Sequence, residues 1–281
     1  MVQRFIVPVD GSPASWVAVE VAGALALRLD ARVHVVEIVF SPEDTASAEI
    51  RVDERLKDID PEVECVREVR LAQGTVADAL EQLVEAYPGS TVVMASHGRG
   101  RSAALVGSVA EDVLQRLFGP VLLVGPHIES SDFTGPVVVS VDGSDNSESV
   151  LPLAAAWAIE LGVEPWVIHV MEPNTASTLG HGVTDSVYPA RLAHELSALS
   201  GHRVEFEELH DRHPAEAVPR FARQLKASMI VAASHGHSGL ARLKLGSVTA
   251  GFVRHATCPV LVVRPPHIAE SASDTTSSRH V

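Results

Sequence analysis

The sequence predicts an α/β protein made of two tandem, doubly wound, open parallel sheets, each with five strands in the order 3-2-1-4-5. Three observations support this fold class. The chain repeats itself once, each copy alternates strand and helix patterns, and each copy closes with a glycine-bearing loop, a helix and a strand. Unbroken Val- and Ile-rich strands that alternate with helices are typical of a parallel sheet covered on both faces.

Short motifs at matching positions carry the repeat. Asp10-Gly11-Ser12 recurs at 142–144, an offset of 142 − 10 = 132 residues, and the Ser-His-Gly motif at 96–98 recurs at 234–236, an offset of 138. The motif Gly-Ser-Val at 107–109 recurs at 246–248, an offset of 139. The drift in offset marks two small length changes between the copies of a duplicated domain.

Each copy begins with a strand, at 5–9 and at 137–141. The helix that follows is predicted from apolar residues spaced i, i+4, i+7, i+8 and i+11, which form one helical face. After the second strand comes a stretch that differs between the copies. In copy one, 41–60 is acidic and predicts a solvated helix; in copy two, 173–187 is either a lid over a ligand or a surface loop, followed by a helix at 189–199.

The remaining pattern in each copy is strand, helix, strand, glycine loop, helix and strand. We place domain 1 at 1–126, a short polar linker at 127–134 and domain 2 at 135–266. The tail at 267–281 lacks an apolar period and is predicted to be disordered.

Composition narrows the classes of partner. The formal net charge is −14 and no long basic run is present, which argues against nucleic acids and anionic membranes as partners. The sequence contains no run of about 18 continuous apolar residues, the length that would predict a membrane span. The two cysteines, Cys65 and Cys258, lie far apart in apolar surroundings and are expected to be buried free thiols in a reducing cytoplasm.

The best candidate site lies where the strand order reverses, between strands 1 and 4 of each sheet, because ligands of doubly wound sheets bind at that point. Asp10 and Asp142 end strand 1, and their carboxylates can accept hydrogen bonds from a sugar or a base. An N-cap or turn role before helix 1 explains them equally well. The glycine loop and the helix start can bind phosphate through free N–H groups.

Both copies resemble universal stress protein domains, over the whole chain except the linker and tail. The resemblance rests on Val-Asp-Gly-Ser after strand 1, Ser-His-Gly after strand 4, Gly-Ser-Val at the last helix and the Pro-Val-Leu run of strand 5. It implies the adenine-nucleotide alpha hydrolase-like (HUP) fold. It also implies that the halves pack as a pseudo-two-fold dimer, with edge strands 121–124 and 260–263 meeting.

The ATP-binding branch of that family has Gly-x-x-Gly, nine residues, then Gly-Ser or Gly-Thr. Copy two has Ala233 at the first position and otherwise keeps the spacing, whereas copy one has Ala95 and a loop one residue shorter. Copy two is therefore the better predicted ATP site.

The resemblance implies ATP with Mg²⁺ as ligand, held by family positions carried over one by one. In copy two these are Asp142, Val170, Ala233, Gly236, Gly246, Ser247 and Val248. Arg242 in the glycine loop of copy two either supplies positive charge to the outer phosphates or is a solvated loop cation. In copy one the family positions are Pro8, Asp10, Ile38, Ala95, Gly98, Gly107, Ser108 and Val109.

Enzyme classes have little support in the sequence. There is no Gly-x-x-x-x-Gly-Lys-Ser/Thr motif, the His-Gly-His at 235–237 stands in the wrong place for the related nucleotidyl transferases, and the His pair at 210 and 213 fits a polar turn better than a metal site. We expect no enzyme, at most slow ATP hydrolysis.

Two hypotheses remain. The first is a cytoplasmic, nucleotide-responsive stress protein that an unidentified protein partner reads. The second is a tandem stress protein that binds no nucleotide and works through protein contacts. Whether two chains form a homodimer is left open.

Overall fold

The computed structural model describes residues 2–98, 106–117, 119–129, 132–171, 187–235 and 245–264. The elements of the first half are, in chain order, β1 (Arg4–Val9), α1 (Pro13–Leu29), β2 (Arg32–Val39), α2 (Thr45–Leu56), β3 (Cys65–Leu71), α3 (Val76–Ala86), β4 (Ser90–Ala95), α4 (Ser108–Arg116) and β5 (Val121–Val124). Those of the second half are β6 (Val137–Val141), α5 (Asp145–Glu148), α6 (Leu151–Leu161), β7 (Pro165–Met171), α7 (Val187–Ser200), β8 (Glu205–His210), α8 (Pro214–Gln224), β9 (Met229–Ala233), α9 (Ser247–His255) and β10 (Val260–Val263).

The ten strands form one sheet in the order β3-β2-β1-β4-β5-β10-β9-β6-β7-β8. Each half contributes five parallel strands in the order 3-2-1-4-5, so the predicted fold class is confirmed. One apolar core on each face of the sheet covers the strands. The first contains buried residues of α1, α6 and α7, and the second those of α3, α4, α8 and α9.

The halves join through β5 and β10, which pair antiparallel. Leu122 pairs with Leu261, and 261 − 122 = 139 is the repeat offset of this region. Each of these leucines therefore faces its own counterpart, which is the register that a two-fold axis between the halves would produce. Pairing also removes two apolar strands from the exposed edges of the halves.

The two halves also touch just after β5, beside the seam that β5 and β10 form between them. A Cβ at Gly125 would lie 2.1 Å from the carbonyl oxygen of Val253 in α9, so only glycine allows this approach. At the equivalent place after β10, Arg264 donates a hydrogen bond to the carbonyl of Gln115 in α4. Each final strand thus leads onto the last turn of the other half's final helix.

The first helix of copy two differs from its predicted match in copy one. Copy one has one continuous helix, α1, whereas copy two is divided into α5 and α6 at Ser149 and Val150. Pro152 at the start of α6 has no N–H to donate to the carbonyl of Glu148, and its ring clashes with that carbonyl in a continuous helix.

Two smaller expectations met mixed outcomes. The acidic stretch of copy one forms a helix, α2, as predicted. The linker is not wholly polar, because Phe133 is only 1% exposed and packs in the core.

The prediction of buried cysteines holds for one of the two. Cys258 is buried, and burial raises the pKa of its thiol to about 12. Cys65 is only half-buried, because β3 lies at the edge of the sheet. The predicted tail lies outside the described residues.

Candidate functional site

The candidate site lies where β1 and β4 diverge. In the sheet order, the chain moves outward from β1 to β3 and then returns to place β4 on the other side of β1. The recorded pairing of β1 with β4 runs from Arg4 to Ile6, three residues before β1 ends at Val9. A crevice therefore opens between the two carboxyl ends, which is the usual ligand position in such sheets.

A cavity of about 350 Å³ occupies this crevice in copy one. Its wall includes all eight residues predicted for copy one. These are Pro8, Asp10, Ile38, Ala95, Gly98, Gly107, Ser108 and Val109. Four different elements or their adjoining turns supply them, so the structure brings together positions that are up to 101 residues apart in the chain (109 − 8).

The turn after β1 shows the structural role of Asp10. Gly11 has φ +75°, and the N–H of Ser12 donates to Asp10 Oδ1 over 2.9 Å. Ser12 itself is the N-cap of α1, with its hydroxyl accepting from the Ser15 N–H. The N-cap alternative for Asp10 is therefore wrong, whereas its turn role holds for one of its two carboxylate oxygens.

Copy two repeats this turn. Gly143 has φ +88°, and Asp142 Oδ1 accepts from the Ser144 N–H at 3.0 Å and from the Ser144 hydroxyl at 2.6 Å. Ser144 is the N-cap of α5. The Asp-Gly-Ser motif thus has the same local structure in both halves.

The second oxygen of Asp10 points toward the loop after β4. A Cβ on Gly98 would lie 2.6 Å from Asp10 Oδ2. Glycine at 98 therefore lets the loop lie directly against the carboxylate, which stands at the cavity wall and is exposed to solvent.

The start of α4 forms the other wall. Gly107 is the N-cap and has no side chain that could accept a hydrogen bond from the N–H groups of the first turn. Among the described residues, no other side chain caps this helix. Glu111 N–H donates to the Gly107 carbonyl, which begins the helix. The free N–H groups and the helix dipole make this position suitable for an anion.

Hydrogen bonds hold the ends of the glycine loop equally in both copies. The Gly107 N–H donates to the Ser96 carbonyl at 2.7 Å, and the Gly246 N–H donates to the Ser234 carbonyl at 2.9 Å. The loop of copy one is one residue shorter, yet it closes with the same bond. The missing residue therefore does not displace the start of α4 from the end of β4.

The histidine after β4 is fixed by its neighbour. His97 Nδ1 lies 3.2 Å from Ser96 Oγ, and His235 Nδ1 lies 3.1 Å from Ser234 Oγ. His97 and Ser96 both line the cavity. These contacts orient each ring from the side of Nδ1.

In copy two, six predicted residues are described: Asp142, Val170, Ala233, Gly246, Ser247 and Val248. Gly236 and Arg242 lie outside the described residues. Ala233 is buried at the end of β9, and the Thr249 hydroxyl donates to its carbonyl at 2.8 Å. This bond fixes the first turn of α9 to β9. Copy one has Ala110 in its place, with no hydroxyl.

Copy two also has a polar cluster on the opposite face of the sheet. The ring centroids of Tyr188 and His169 are 5.1 Å apart, and Arg191 Nη2 lies 2.8 Å from Glu148 Oε1. Burial, followed by the negative charge of Glu148, raises the pKa of the Tyr188 hydroxyl. In copy one the corresponding place holds an ion pair between Glu37 and Arg51.

Sequence reasoning missed other residues of the cavity. These are Val9, Ser15, Phe40, Val76, Met94, Ser96, His97 and Ala110. Phe40 could have been found by extending the alternation of β2 one residue beyond its end at Val39, because it stands two positions after Ile38. Val76 and Met94 carry no distinguishing signal in the sequence.

The described residues contain neither a cluster of metal-ligating side chains nor a membrane-spanning helix. No group of three or more His, Cys, Asp or Glu side chains in these ranges could hold a metal ion, and the His pair at 210 and 213 belongs to no such group. No helix among them is long and apolar enough to cross a bilayer.

Comparison with known proteins agrees with the repeat. The model of the universal stress protein family matches twice, at residues 1–125 and 134–264. A universal stress protein of Mycobacterium tuberculosis is 26% identical over 93% of this chain and 95% of its own length. One of Mycolicibacterium smegmatis is 31% identical over 62% of this chain, and that match spans 61% of the relative.

Solved structures agree in fold. A universal stress protein from Archaeoglobus fulgidus superposes with a TM-score of 0.65 at 19% identity, covering 93% of this chain and 96% of its own. A protein of unknown function from Pseudomonas aeruginosa superposes with a TM-score of 0.67 at 15% identity, covering 99% and 98%.

Proposed function

This chain belongs to the universal stress protein family as a tandem of two family domains, and we propose that it binds ATP with Mg²⁺ and acts as a nucleotide-responsive regulatory protein. The observation that carries the proposal is the cavity of copy one, whose wall contains all eight residues predicted from the sequence. Its volume of about 350 Å³ lies in the range of about 300–1,000 Å³ that is usual for small-molecule sites.

The apolar part of the cavity suits a purine. Pro8 and Ile38 are half-buried at the ends of β1 and β2, and Val109 is 43% exposed on the first turn of α4. Asp10 stands beside them and can accept a hydrogen bond from an amino group or a ribose hydroxyl. Apolar contact with one directional acceptor favours a nucleoside over a simple sugar or an inorganic anion.

The phosphate end of the proposed site is the start of α4. Ser108 and Val109 present the backbone N–H groups of the first turn of α4, and Ser108 is exposed and can offer a hydroxyl. A Cβ at Gly107 would lie 3.4 Å from the Ser96 carbonyl oxygen, so alanine would fit but a larger side chain would extend into the space before the helix. Mg²⁺ would be bound mainly through phosphate oxygens and water, because it keeps several waters in nucleotide sites.

We propose that copy two holds the second ATP site, at Asp142, Val170, Ala233, Gly236, Arg242 and Gly246 to Val248. Support comes from its nine-residue spacing and from the Asp-Gly-Ser turn and loop-closing bond that it shares with copy one. The sequence favours copy two as the ATP site because its loop keeps the nine-residue spacing of the family motif. Because the same hydrogen bond closes the loop in both copies, the shorter loop of copy one is a weaker argument against ATP binding there.

Binding without fast turnover is the proposed mode of action. The titratable side chains that line the described cavity are Asp10 and His97, and Asp10 Oδ1 is already engaged by the Ser12 N–H. A bound phosphate would instead order the loops around the start of α4, and a partner protein could read that change.

Calorimetric titration of ATP with Mg²⁺ into the full chain tests the proposal. We expect saturable binding that Gly107→Val removes from copy one and Gly246→Val from copy two. Gly107→Ala is the matched control, because its Cβ makes only ordinary contacts and should leave affinity within a few-fold. Absence of both heat and thermal shift at millimolar ATP in the wild type would refute the proposal and favour the stress protein that works through protein contacts alone.

A further inference from the structure

Phe40 is the most exposed of the large apolar side chains in the described structure, at 66% of its surface. It follows directly on β2 and lines the cavity of copy one. A phenylalanine left this open to water loses the stabilisation that burial of its ring would give. The structure therefore places an unburied aromatic ring at the wall of a cavity.

The position of the ring relative to the other residues suggests what it would contact. Ile38 near the end of β2 and Phe40 just after it line the same cavity, and Val109, which is 43% exposed, approaches from α4. The cavity therefore has an apolar rim built from two separate elements. The polar groups Asp10 and Ser108 belong to the rest of the wall.

We infer that Phe40 stacks on the base of the nucleotide bound in copy one and makes this site prefer a purine over a pyrimidine or a ligand without a base. The inference rests on the proposed function and adds a residue and a specificity to it. An aromatic ring stacks on any flat base, and a purine covers more of the ring than a pyrimidine does. Val109 is aliphatic and can add contact but no stacking.

The repeat makes this preference a property of copy one. At the offset of the second strands, 132 residues, the counterpart of Phe40 is Glu172, which lies outside the described residues. A carboxylate side chain cannot stack on a base, so we expect the two sites to differ in base preference even where they share their phosphate groups.

The experiment is a calorimetric titration of the full chain carrying Gly246→Val, so that the heat reports copy one, with ATP, CTP and inorganic tripolyphosphate as ligands. In that background, Phe40→Ala should weaken ATP about 10- to 100-fold, weaken CTP less, and leave tripolyphosphate within about twofold. Phe40→Tyr should restore ATP affinity, because the ring is retained.

Ile50→Ala is the control for exposure, since Ile50 is 60% exposed on α2 and does not line the cavity. It should leave all three affinities unchanged. In the chain with Phe40→Trp, ATP but not tripolyphosphate should quench the emission of the new indole.

Unchanged ATP affinity in Phe40→Ala would overturn the inference and leave the proposed function standing. An equal loss of ATP and tripolyphosphate would also overturn it, because the effect would then lie in the loop rather than on the base. No ATP binding to the Gly246→Val parent, with binding kept in the wild type, would overturn the inference alone. No ATP binding to the wild type would overturn both proposals together.

Discussion

Replacing Gly125 by alanine should open the seam between the two halves. The new Cβ would lie 2.1 Å from the Val253 carbonyl oxygen, whereas ordinary contact begins at 3.4 Å, so the two backbones must separate by about 1.3 Å (3.4 − 2.1). The neighbouring atom is a backbone oxygen inside α9 and cannot rotate away. Overpacking of this kind costs about 1–3 kcal/mol, and the rigid neighbour places Gly125→Ala near about 3 kcal/mol.

The measurement is thermal and urea unfolding of the full chain. For a chain of this size, a loss of about 3 kcal/mol should lower Tm by about 6–12 °C. Gly119→Ala is the matched control on the other flank of β5, because its Cβ would meet nothing within 4 Å. We expect the control to change stability by less than about 1 kcal/mol. Equal Tm values for the two variants would refute the argument that the halves touch through Gly125.

Three further predictions concern copy one. Burial lowers the pKa of His34 below its usual 6.5. Just below pH 6.5 the unfolded chain therefore protonates this imidazole more fully than the folded chain does. Stability should therefore fall as pH drops below about 6.5, by up to about 1.4 kcal/mol per pH unit, and His34→Gln should flatten that slope in urea unfolding at pH 7.5 and 5.5. Arg51→Met should cost about 2 kcal/mol in the same assay, since it strands the buried Glu37 carboxylate, while Arg67→Met at an exposed pair should cost under about 1 kcal/mol; equal losses would contradict this. Thr75→Ala removes the hydroxyl of the α3 capping box and should lower stability by about 1 kcal/mol, whereas Thr75→Ser should not.

Much of the fold was predictable from local pattern. The repeat, the alternation of strands and helices and the positions of the glycine loops follow from hydrophobic periodicity and from motifs such as Asp-Gly-Ser, because these depend on neighbouring residues in the chain. The strand order 3-2-1-4-5 was instead assumed for a doubly wound fold, and the pairings of the sheet confirm it. The division of the first helix in copy two was also encoded locally, in Pro152, although the repeat pattern alone predicted a continuous helix.

The candidate site was predictable only in part. Asp10 stands out through the Asp-Gly-Ser motif at the end of β1, and Gly107 through the Gly-Ser-Val motif at the start of α4. Val76 and Met94 have no such signal, because their place in the cavity depends on how α3 and β4 pack and not on their neighbours in sequence. The same holds for the role of Phe40, which required both the cavity and the exposure of its ring.

By itself, the sequence determined the duplicated α/β fold, the family and the positions that turn at the ends of β1 and β4, since each rests on short-range pattern. Only the tertiary structure decided that Phe40, Val76 and Met94 join the eight predicted residues in one cavity and that the short loop of copy one closes with the same hydrogen bond as the longer loop. It also decided that Gly125 meets Val253 across the seam. Those facts depend on contacts between residues far apart in the chain, and no local propensity encodes them.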